Sequence, residues 1–257
     1  MLGTSAAYPG PGLACLGFIV QEKGLNLLID CGTGVLSNLQ KYVDLFDISG
    51  IIISHMHADH FFDLIPYRYA LQYGLDNPKA RKPRLYLPPG GTRVLDQVVS
   101  PFAESTNFFS DVFKMFEYDP DKQLNLGHFV IRFVAVRHYI PTYALSISGT
   151  QKLAYTSDSG LCPGLLQVAK GADLLLCNVG RCLGAEIDHL WGHLLPAEAG
   201  QLAKEASAKR LMITHLWPAC DPAFSLEQAS STFGGPVTLA EQCQTYDLDN
   251  LSLRPRR

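Results

Sequence analysis

The sequence predicts an α/β fold in which strands and helices are stacked in layers. Short apolar runs that end in polar or glycine-rich turns alternate with segments of helical periodicity in both halves of the chain. No charge run, low-complexity linker or short repeat separates the two halves, so we expect a single domain over residues 1–257. A chain of 257 residues with 47% hydrophobic residues is long enough to bury the core that such a fold requires.

Seven apolar runs predict strands, and five segments with helical periodicity predict helices between them. The predicted strands cover residues 25–29, 50–53, 84–87, 129–136, 152–155, 173–176 and 210–213. The predicted helices cover residues 35–43, 61–73, 92–99, 164–170 and 197–208. The last helix opens with Pro196, a residue suited to the first turn of a helix.

The net charge of −3 gives the chain no general attraction to polyanions. A nucleic-acid partner therefore stays open but unsupported, because it would need a local basic patch. One basic cluster occurs within residues 74–91, a stretch with four prolines, and it consists of Lys79, Arg81, Lys82 and Arg84. Such clusters usually face water, so we interpret this one as part of a solvated surface connection.

The seven cysteines are odd in number, scattered and without a Cys-x-x-Cys pair, which is unlike a secreted disulfide framework. The N-terminus has no basic region followed by an apolar stretch, and no run of about 18 apolar residues occurs. We therefore expect a cytoplasmic protein in a reducing compartment, without a membrane partner.

Three histidines and an aspartate lie within six positions, as His55, His57, Asp59 and His60. They follow a predicted strand and precede a predicted helix, which is where open α/β sheets place their ligands. His55 and His57 can present imidazoles from one extended segment to one metal, whereas Asp59 and His60 can address a neighbouring metal. A lone histidine is usually structural, and Asp59 alone could cap the helix. Together, however, these groups would be costly near a core without a metal.

Three more candidate ligands occupy the same kind of position further along the chain. His138, Asp158 and His215 each come just after an apolar run that predicts a strand. Strands of one sheet that share a direction would bring these residues to one rim, with Asp158 available to bridge two metals. Each residue taken alone could equally be a structural polar residue, so the interpretation depends on the whole set.

In these motifs the chain resembles the metallo-β-lactamase superfamily. The resemblance runs from Leu2-Gly3-Thr4-Ser5 through Thr214-His215-Leu216, and its His-x-His-x-Asp-His motif is highly specific in this context. The opening tetrapeptide, the segment Tyr155-Thr156-Ser157-Asp158-Ser159-Gly160 and the tripeptide Gly192-His193-Leu194 are similar to the ribonuclease Z and phosphodiesterase branch. The resemblance implies a four-layer αββα sandwich and a homodimer.

The resemblance also implies how two divalent metal ions would be shared. One ion would be held by His55, His57 and His138, the other by Asp59, His60 and His215, and both by Asp158. Zinc is the first expectation, and manganese or iron would also suit histidine and carboxylate ligands.

Two further residues match positions with a function in the family. Asp30 matches an aspartate that supports a ligating histidine by accepting its second ring proton, although it could simply close a strand-to-loop turn. His193 matches the non-ligating histidine of the ribonuclease Z group, which would contact the phosphate or pass a proton to the leaving group. The alternative for His193 is capping or packing. We interpret His189 as structural and expect His128 to lie in a turn.

Two departures from the ribonuclease Z pattern bear on the substrate. Asn178 stands where that group carries a glutamate, and an asparagine cannot act as an acid or a base. No long glycine- and proline-rich insertion resembles the arm that grips transfer RNA. Both departures argue against transfer-RNA processing as the function and favour a smaller phosphodiester as the substrate.

The sequence thus predicts a dinuclear hydrolase, specifically a phosphodiesterase that cleaves a nucleotide or a small nucleic-acid phosphodiester through a metal-bridging hydroxide. Its predicted catalytic residues are Asp59, Asp158 and His193. Two alternatives stay open. The same metals could serve an ester, thioester or lactone hydrolase, or the chain could be a non-catalytic metal-binding module.

Overall fold

The computed structural model describes residues 1–74, 82–103, 105–180, 192–248 and 253–254. Two sheets pack face to face, and helices cover the outer face of each, which gives four layers in the order αββα. Within these described ranges, no helix is long and apolar enough to cross a membrane.

The first sheet contains five strands arranged in sequence order. They are β1 (Phe18–Glu22), β2 (Leu25–Ile29), β3 (Gly50–Ile52), β4 (Arg84–Leu87) and β5 (Lys114–Glu117). Strands β1 and β2 form an antiparallel hairpin, and β2 to β5 are parallel. The hairpin turns at Lys23 and Gly24, whose φ angles of 47° and 78° fit a type I′ turn. The carboxyl ends of β2 and β3 reach the same edge of the sheet.

The second sheet contains seven strands in the order β12-β11-β10-β9-β8-β7-β6. They are β6 (Leu124–Leu126), β7 (Phe129–Ala135), β8 (Tyr143–Ser148), β9 (Lys152–Tyr155), β10 (Leu174–Asn178), β11 (Leu211–Thr214) and β12 (Val237–Leu239). Strands β9 to β12 are parallel, and β6 to β9 form an antiparallel meander. Since β7 and β9 are both antiparallel to β8, they share a direction, and the ends of β7, β9, β10 and β11 meet at one edge.

Helices flank both sheets, and a small hairpin of β13 (Thr245–Tyr246) and β14 (Leu253–Arg254) follows the second. The helices are α1 (Val35–Leu39), α2 (Ala58–Phe61), α3 (Leu64–Tyr73), α4 (Gly91–Val99), α5 (Pro163–Ala169), α6 (Pro196–Glu205) and α7 (Pro222–Phe233). Helices α5, α6 and α7 each have a proline in the first turn, where its missing N–H costs nothing.

Side-chain alternation along the strands divides the core into three parts. In β2, Leu28 packs with residues of α1, α3 and α4, whereas Leu27 and Ile29 pack between the sheets. In β10, Leu175 packs with α5 and α6, and Leu176 packs between the sheets. At these two strands both faces of the sheet are buried, which is why such parallel strands read as continuous apolar runs.

All seven predicted strands are present, with bounds that differ by up to two residues. Five strands of the two sheets were not predicted, namely β1, β5, β6, β8 and β12. Four of these are edge strands, where side chains need not be uniformly apolar. The fifth, β8, contains two serines that interrupt its apolar pattern.

The helix predictions were partly wrong in their bounds. Of the helix predicted over residues 61–73, only Phe61 belongs to α2, and α3 begins at Leu64, because the amide of Asp63 donates to the carbonyl of Cys31 instead of continuing the helix. The helix predicted over residues 35–43 ends at Leu39. After it, the amides of Lys41 and Tyr42 donate hydrogen bonds to the carbonyls three residues before them.

At the other end of the chain, the helix predicted over residues 197–208 begins one residue earlier, at Pro196. It ends at Glu205, and Ser207 follows in the left-handed region with a φ of 53°. Helix α7 was not predicted, although Asp221 accepts a hydrogen bond from the amide of Ala223 as a helix cap (2.9 Å).

Candidate metal centre

The seven predicted ligands lie along the rim where the strands of both sheets end. The loop after β3 and the start of α2 supply His55, His57, Asp59 and His60. The ends of β7, β9 and β11 in the second sheet are followed by His138, Asp158 and His215. The candidate site therefore joins the two sheets.

The first cluster consists of His55, His57, His138 and Asp158, whose candidate ligand atoms all lie within 4.8 Å of one another. The His57 Nδ1 atom is 3.2 Å from His55 Nε2 and 3.0 Å from His138 Nε2. The Asp158 Oδ2 atom is 3.8 Å from both Nε2 atoms. Three ring nitrogens and one carboxylate oxygen thus converge on one point.

The second cluster consists of Asp59, His60 and His215. The Nε2 atoms of His60 and His215 are 3.3 Å apart, and Asp59 Oδ2 is 3.2 Å from the latter. The Asp158 Oδ2 atom lies 3.5 Å from His60 Nε2. One oxygen of Asp158 is therefore close to both clusters.

Hydrogen bonds on the outer side of the rings fix which nitrogen faces each cluster. Asp30 Oδ2 lies 2.8 Å from His60 Nδ1 and can only accept, so this nitrogen carries the proton. The carbonyl oxygen of Gly192 likewise accepts from His138 Nδ1 at 2.8 Å. Ser54 Oγ donates to Asp30 and lies 3.1 Å from His55 Nδ1, so it can accept from that ring. In the neutral forms of these three rings, the inward Nε2 atoms are left as acceptors.

His138 Nε2 lies 3.0 Å from His57 Nδ1, and His60 Nε2 lies 3.3 Å from His215 Nε2, so a cation between the nitrogens of each pair could bind both lone pairs. Zinc–nitrogen bonds of about 2.0–2.1 Å in a tetrahedral shell place neighbouring ligand atoms roughly 3.3 Å apart. The residues present therefore fit two divalent metal ions. Nitrogen and carboxylate ligands do not by themselves select one metal.

The protonation states favour metal binding in the first cluster. Burial lowers the pKa of His55 well below its usual value, and it also lowers the pKa of His138. Burial opposes ionisation of Asp158, but the imidazoles of His215 and His60 outweigh it and hold the pKa of this carboxyl well below its usual range. Neutral imidazoles and an ionised carboxylate are the forms that bind metals.

The second cluster attracts positive charge more strongly. Burial alone would lower the pKa of His60, but the carboxylates of Asp158, Asp30 and Asp59 outweigh it and raise this pKa well above its usual value. Three carboxylates surround a single imidazole, so this side of the site has the stronger attraction for a cation.

Backbone strain is concentrated at the strand ends of the site. Asp30, Ser157 and His215 have φ angles of 54°, 53° and 61°, a left-handed region that residues other than glycine rarely adopt. Gly32 allows a close approach, because an added Cβ would lie 1.9 Å from the carbonyl oxygen of Asp59.

His193 lies beside the two clusters and forms a third group of possible ligand atoms with Asp158 and His215. It is buried, and its Nδ1 atom is 3.9 Å from Asp158 Oδ2. Its ring packs edge-on against that of His138, with centroids 5.0 Å apart. An added Cβ at Gly180 would lie 2.6 Å from Nδ1, so this glycine makes room for the ring. Burial lowers the pKa of His193 to about 4.

Several residues that contact the ligands or Asp30 were not identified from the sequence. Tyr155 donates to Asp30 Oδ2 at 2.8 Å, and the amide of Ala7 donates to Asp59 Oδ2 at 2.8 Å. The carbonyl of Gly192 was missed for a different reason, since a backbone atom carries no sequence signal. Tyr155 could have been found from its position, because it ends the strand that precedes Asp158.

The remaining predictions concern residues away from the ligands. His128 lies in the turn between β6 and β7, as predicted. In the basic cluster, Lys82 donates to the carbonyl of Ser110 at 2.9 Å. Lys79, Arg81 and His189 fall outside the described residues.

The fold and the clustered ligands agree with a comparison against known families. Residues 25–216 match the family described as Beta-lactamase superfamily domain. The chain belongs to this family, and the predicted α/β fold is confirmed.

Comparison with individual relatives shows more narrowly which class of protein within this family the chain resembles. The Probable metallo-hydrolase YhfI of Bacillus subtilis (strain 168) is 32% identical over 250 residues, which cover 94% of this chain and 96% of that protein. The Ribonuclease Z of Myxococcus xanthus (strain DK1622) is 27% identical over 302 residues, which cover 96% of each protein. The crystal structure of the metallo-beta-lactamase fold protein YhfI from Bacillus subtilis matches with a TM-score of 0.82 at 28% identity and covers 94% of each chain. The chain is a metallo-hydrolase related to ribonuclease Z.

Proposed function

We propose that this protein is a dinuclear phosphodiesterase that acts on a nucleotide or a small nucleic-acid phosphodiester. The observation that carries the proposal is the position of Asp158 Oδ2, within 3.5–3.8 Å of ring nitrogens in both clusters. A pair of bound metals would lower the pKa of a shared water and neutralise charge on the phosphoryl oxygens. One metal would be held by His55, His57 and His138, the other by Asp59, His60 and His215, and both by Asp158.

His193 would contact the phosphate or hold the proton that goes to the leaving group. Its Nδ1 atom is buried and has no hydrogen-bond partner among the described residues, so it is available to a substrate. It also lies 3.9 Å from Asp158 Oδ2, next to the carboxylate that would be shared by both metals. Asp59 would keep its oxygen on the second metal, since the amide of Ala7 holds that carboxylate at 2.8 Å.

A small substrate is supported by what the chain lacks in sequence. The alignment with the Myxococcus xanthus ribonuclease Z extends over 302 positions, more than the 257 residues of this chain, so that relative contains additional segments. Asn178 replaces the glutamate expected in a transfer-RNA processing enzyme, and the net charge of −3 offers little attraction to a large polyanion.

We also propose zinc as the native metal, a homodimer as the assembly and the cytoplasm as the location. Zinc is supported by the spacing of the inward nitrogens, and the homodimer by resemblance to the family. The scattered, odd-numbered cysteines support a reducing compartment, whereas the disulfide bond of Cys220 argues against it. Metal analysis of protein purified without added metal and light scattering at several concentrations test the first two proposals.

The function is tested with metal-stripped protein that is refilled with zinc or manganese. Hydrolysis of a chromogenic phosphodiester is measured beside that of a carboxylic ester and a lactone. Asp158→Ala removes the shared oxygen. Asp173→Ala is the matched control, because Asp173 lies before the first residue of β10, at the end of that strand away from the candidate metal centre.

We expect metal-dependent cleavage of the diester by the wild type and by Asp173→Ala, with loss of activity in Asp158→Ala. Activity on the ester or lactone alone would move the assignment to carbonyl chemistry. The absence of any metal-dependent hydrolysis would contradict catalysis and favour a metal-binding module.

A further inference from the structure

The two carboxylate oxygens of Asp158 face different surroundings. Oδ2 points towards the metal clusters, 3.5 Å from His60 Nε2 and 3.8 Å from His55 Nε2. Oδ1 accepts a hydrogen bond from Asn178 Nδ2 at 2.7 Å and lies 3.3 Å from His215 Nδ1, whereas the Nε2 atom of that ring faces the second cluster. One oxygen is thus available to both metals, and the rotation of the carboxylate decides which oxygen that is.

Asn178 is placed to control this rotation. It is the last residue of β10, fully buried between β9 and β11, and its main-chain amide donates to Thr156 Oγ1 at 3.0 Å. An ionised carboxylate can only accept hydrogen bonds, so the NH₂ group of Asn178 must face Asp158. A glutamate or aspartate carboxylate at this point would repel Asp158, whereas the amide attracts it.

The other contact of the same NH₂ group leads to Tyr155. Asn178 Nδ2 lies 3.2 Å from the Tyr155 hydroxyl, which donates its own proton to Asp30 Oδ2 at 2.8 Å. Asp30 in turn accepts from His60 Nδ1 at 2.8 Å. Each hydrogen bond in this series has one donor and one acceptor, so the direction of every bond in the series is unambiguous.

We propose that Asn178 and Tyr155 are positioning residues, which hold Asp158 so that Oδ2 alone bridges the metals and which tie Asp158 to the Asp30–His60 pair. This inference rests on the two-metal site proposed above, and it does not depend on which substrate is cleaved. These hydrogen bonds connect Asp158, the proposed ligand of both metals, with His60, a proposed ligand of the second metal. Loss of Asn178 or Tyr155 should therefore weaken binding of the metal pair. Partners of metal ligands typically contribute about 10–100-fold to metal affinity.

The test is metal binding by the full-length protein. Asn178→Leu keeps the branched shape of the side chain, with somewhat larger groups, and removes both donors, whereas alanine would leave room for a water that could replace the amide. Asn38→Leu is its matched control, since Asn38 is another buried asparagine and donates to the carbonyl of Leu2 at 2.7 Å. Tyr155→Phe is compared with Tyr67→Phe, which removes a buried hydroxyl bonded to the carbonyl of Leu45.

Zinc affinity is measured by competition with a chromogenic chelator, and the visible spectrum of the cobalt-loaded protein is recorded at saturation. We expect Asn178→Leu to bind zinc about 10–100-fold more weakly and to show an altered cobalt spectrum, with Tyr155→Phe changed in the same direction. Both controls should stay within about twofold of the wild type, since neither touches a proposed ligand.

Wild-type zinc affinity and an unchanged cobalt spectrum in Asn178→Leu would overturn the inference. If that variant does not fold, the same result in Tyr155→Phe would overturn it. A wild-type protein that binds fewer than two metals would instead overturn the proposed function, so the two failures are distinguishable.

Discussion

A histidine offers a metal only the ring nitrogen that carries no proton, so the residues on the outer side of each ring matter as much as the ligands. Asp30 selects the required form of His60, and the carbonyl of Gly192 selects that of His138. The supporting position of Asp30 was predicted from its resemblance to the family. The roles of Gly192 and Tyr155 were not predicted, because they depend on contacts that form only when distant segments of the chain come together.

Replacing Asp30 with asparagine tests its supporting role. An amide can present its NH₂ group to His60 Nδ1, which would move the ring proton to the nitrogen that faces the metal. We expect Asp30→Asn to lower zinc affinity about 10–100-fold, measured by equilibrium dialysis. The matched control is Asp63→Asn, since Asp63 is also buried but accepts from the amide of Leu36. Equal affinity in both variants would contradict the role of Asp30.

Replacing His193 with alanine separates chemistry from metal binding. The ring is buried beside Asp158 but is absent from the proposed ligand sets, so its loss should leave two metals per chain. We expect the kcat for diester cleavage to fall about 10²–10⁴-fold, the range for a proton-transfer group. Metal content and initial rates are measured on the same samples, with His128→Ala as control. Unchanged turnover would leave His193 as a packing residue.

At the scale of elements, the ligand loop depends on how closely its backbone approaches the loop after β2. The carbonyl oxygen of Cys31 accepts from the amide of Asp63, and the amide of Cys31 donates to the carbonyl of His60 at 2.6 Å. Gly32 lies in contact with Asp59, at the start of α2. The spacing between these two segments therefore sets the position of two candidate ligands.

Gly32→Ala should disturb this spacing, because the added Cβ would lie 1.9 Å from a backbone oxygen that cannot easily move. We expect a loss of about 1–3 kcal/mol in the free energy of unfolding of the metal-free protein, measured with urea. At Gly10 an added Cβ would meet only the side chain of Leu13, at 3.3 Å, so Gly10→Ala should change the same free energy by less than about 0.5 kcal/mol. Equal stabilities would show that the two loops can separate freely.

Several of the strands that could be predicted from sequence are central strands of their sheets. Strands β3, β9 and β11 are continuous apolar runs, and the residues that follow them are candidate ligands. Edge strands such as β5 were missed because the second face of an edge can stay polar. The order of strands within each sheet could not be read from any run, since it depends on long-range pairing.

At the scale of the whole molecule, the candidate metal centre connects the two sheets. His55, His57, Asp59 and His60 follow a strand of the first sheet, whereas His138, Asp158 and His215 follow strands of the second. The apolar runs indicated a common rim, and only the resemblance to the family implied that two sheets are present. That residues 1–257 form one domain stays a prediction.

Metal binding across the two sheets should stabilise the folded protein. A ligand present at 100 times its Kd stabilises the native state by about 2.7 kcal/mol, which for a chain of this size raises Tm by roughly 5–10 °C. We expect this rise when zinc is added to stripped wild-type protein, measured by calorimetry, and little rise in Asp158→Ala. A similar rise in both proteins would mean that zinc binds elsewhere.

The most direct test of a two-metal phosphodiesterase is the rate of diester cleavage as zinc is added stepwise to stripped protein. Bound zinc per chain is measured in parallel by mass spectrometry. The proposed site predicts low activity at one zinc per chain and a maximal rate at two, because the second metal completes the pair around Asp158. A maximal rate at one zinc per chain, or a rate independent of zinc, would contradict the proposed function.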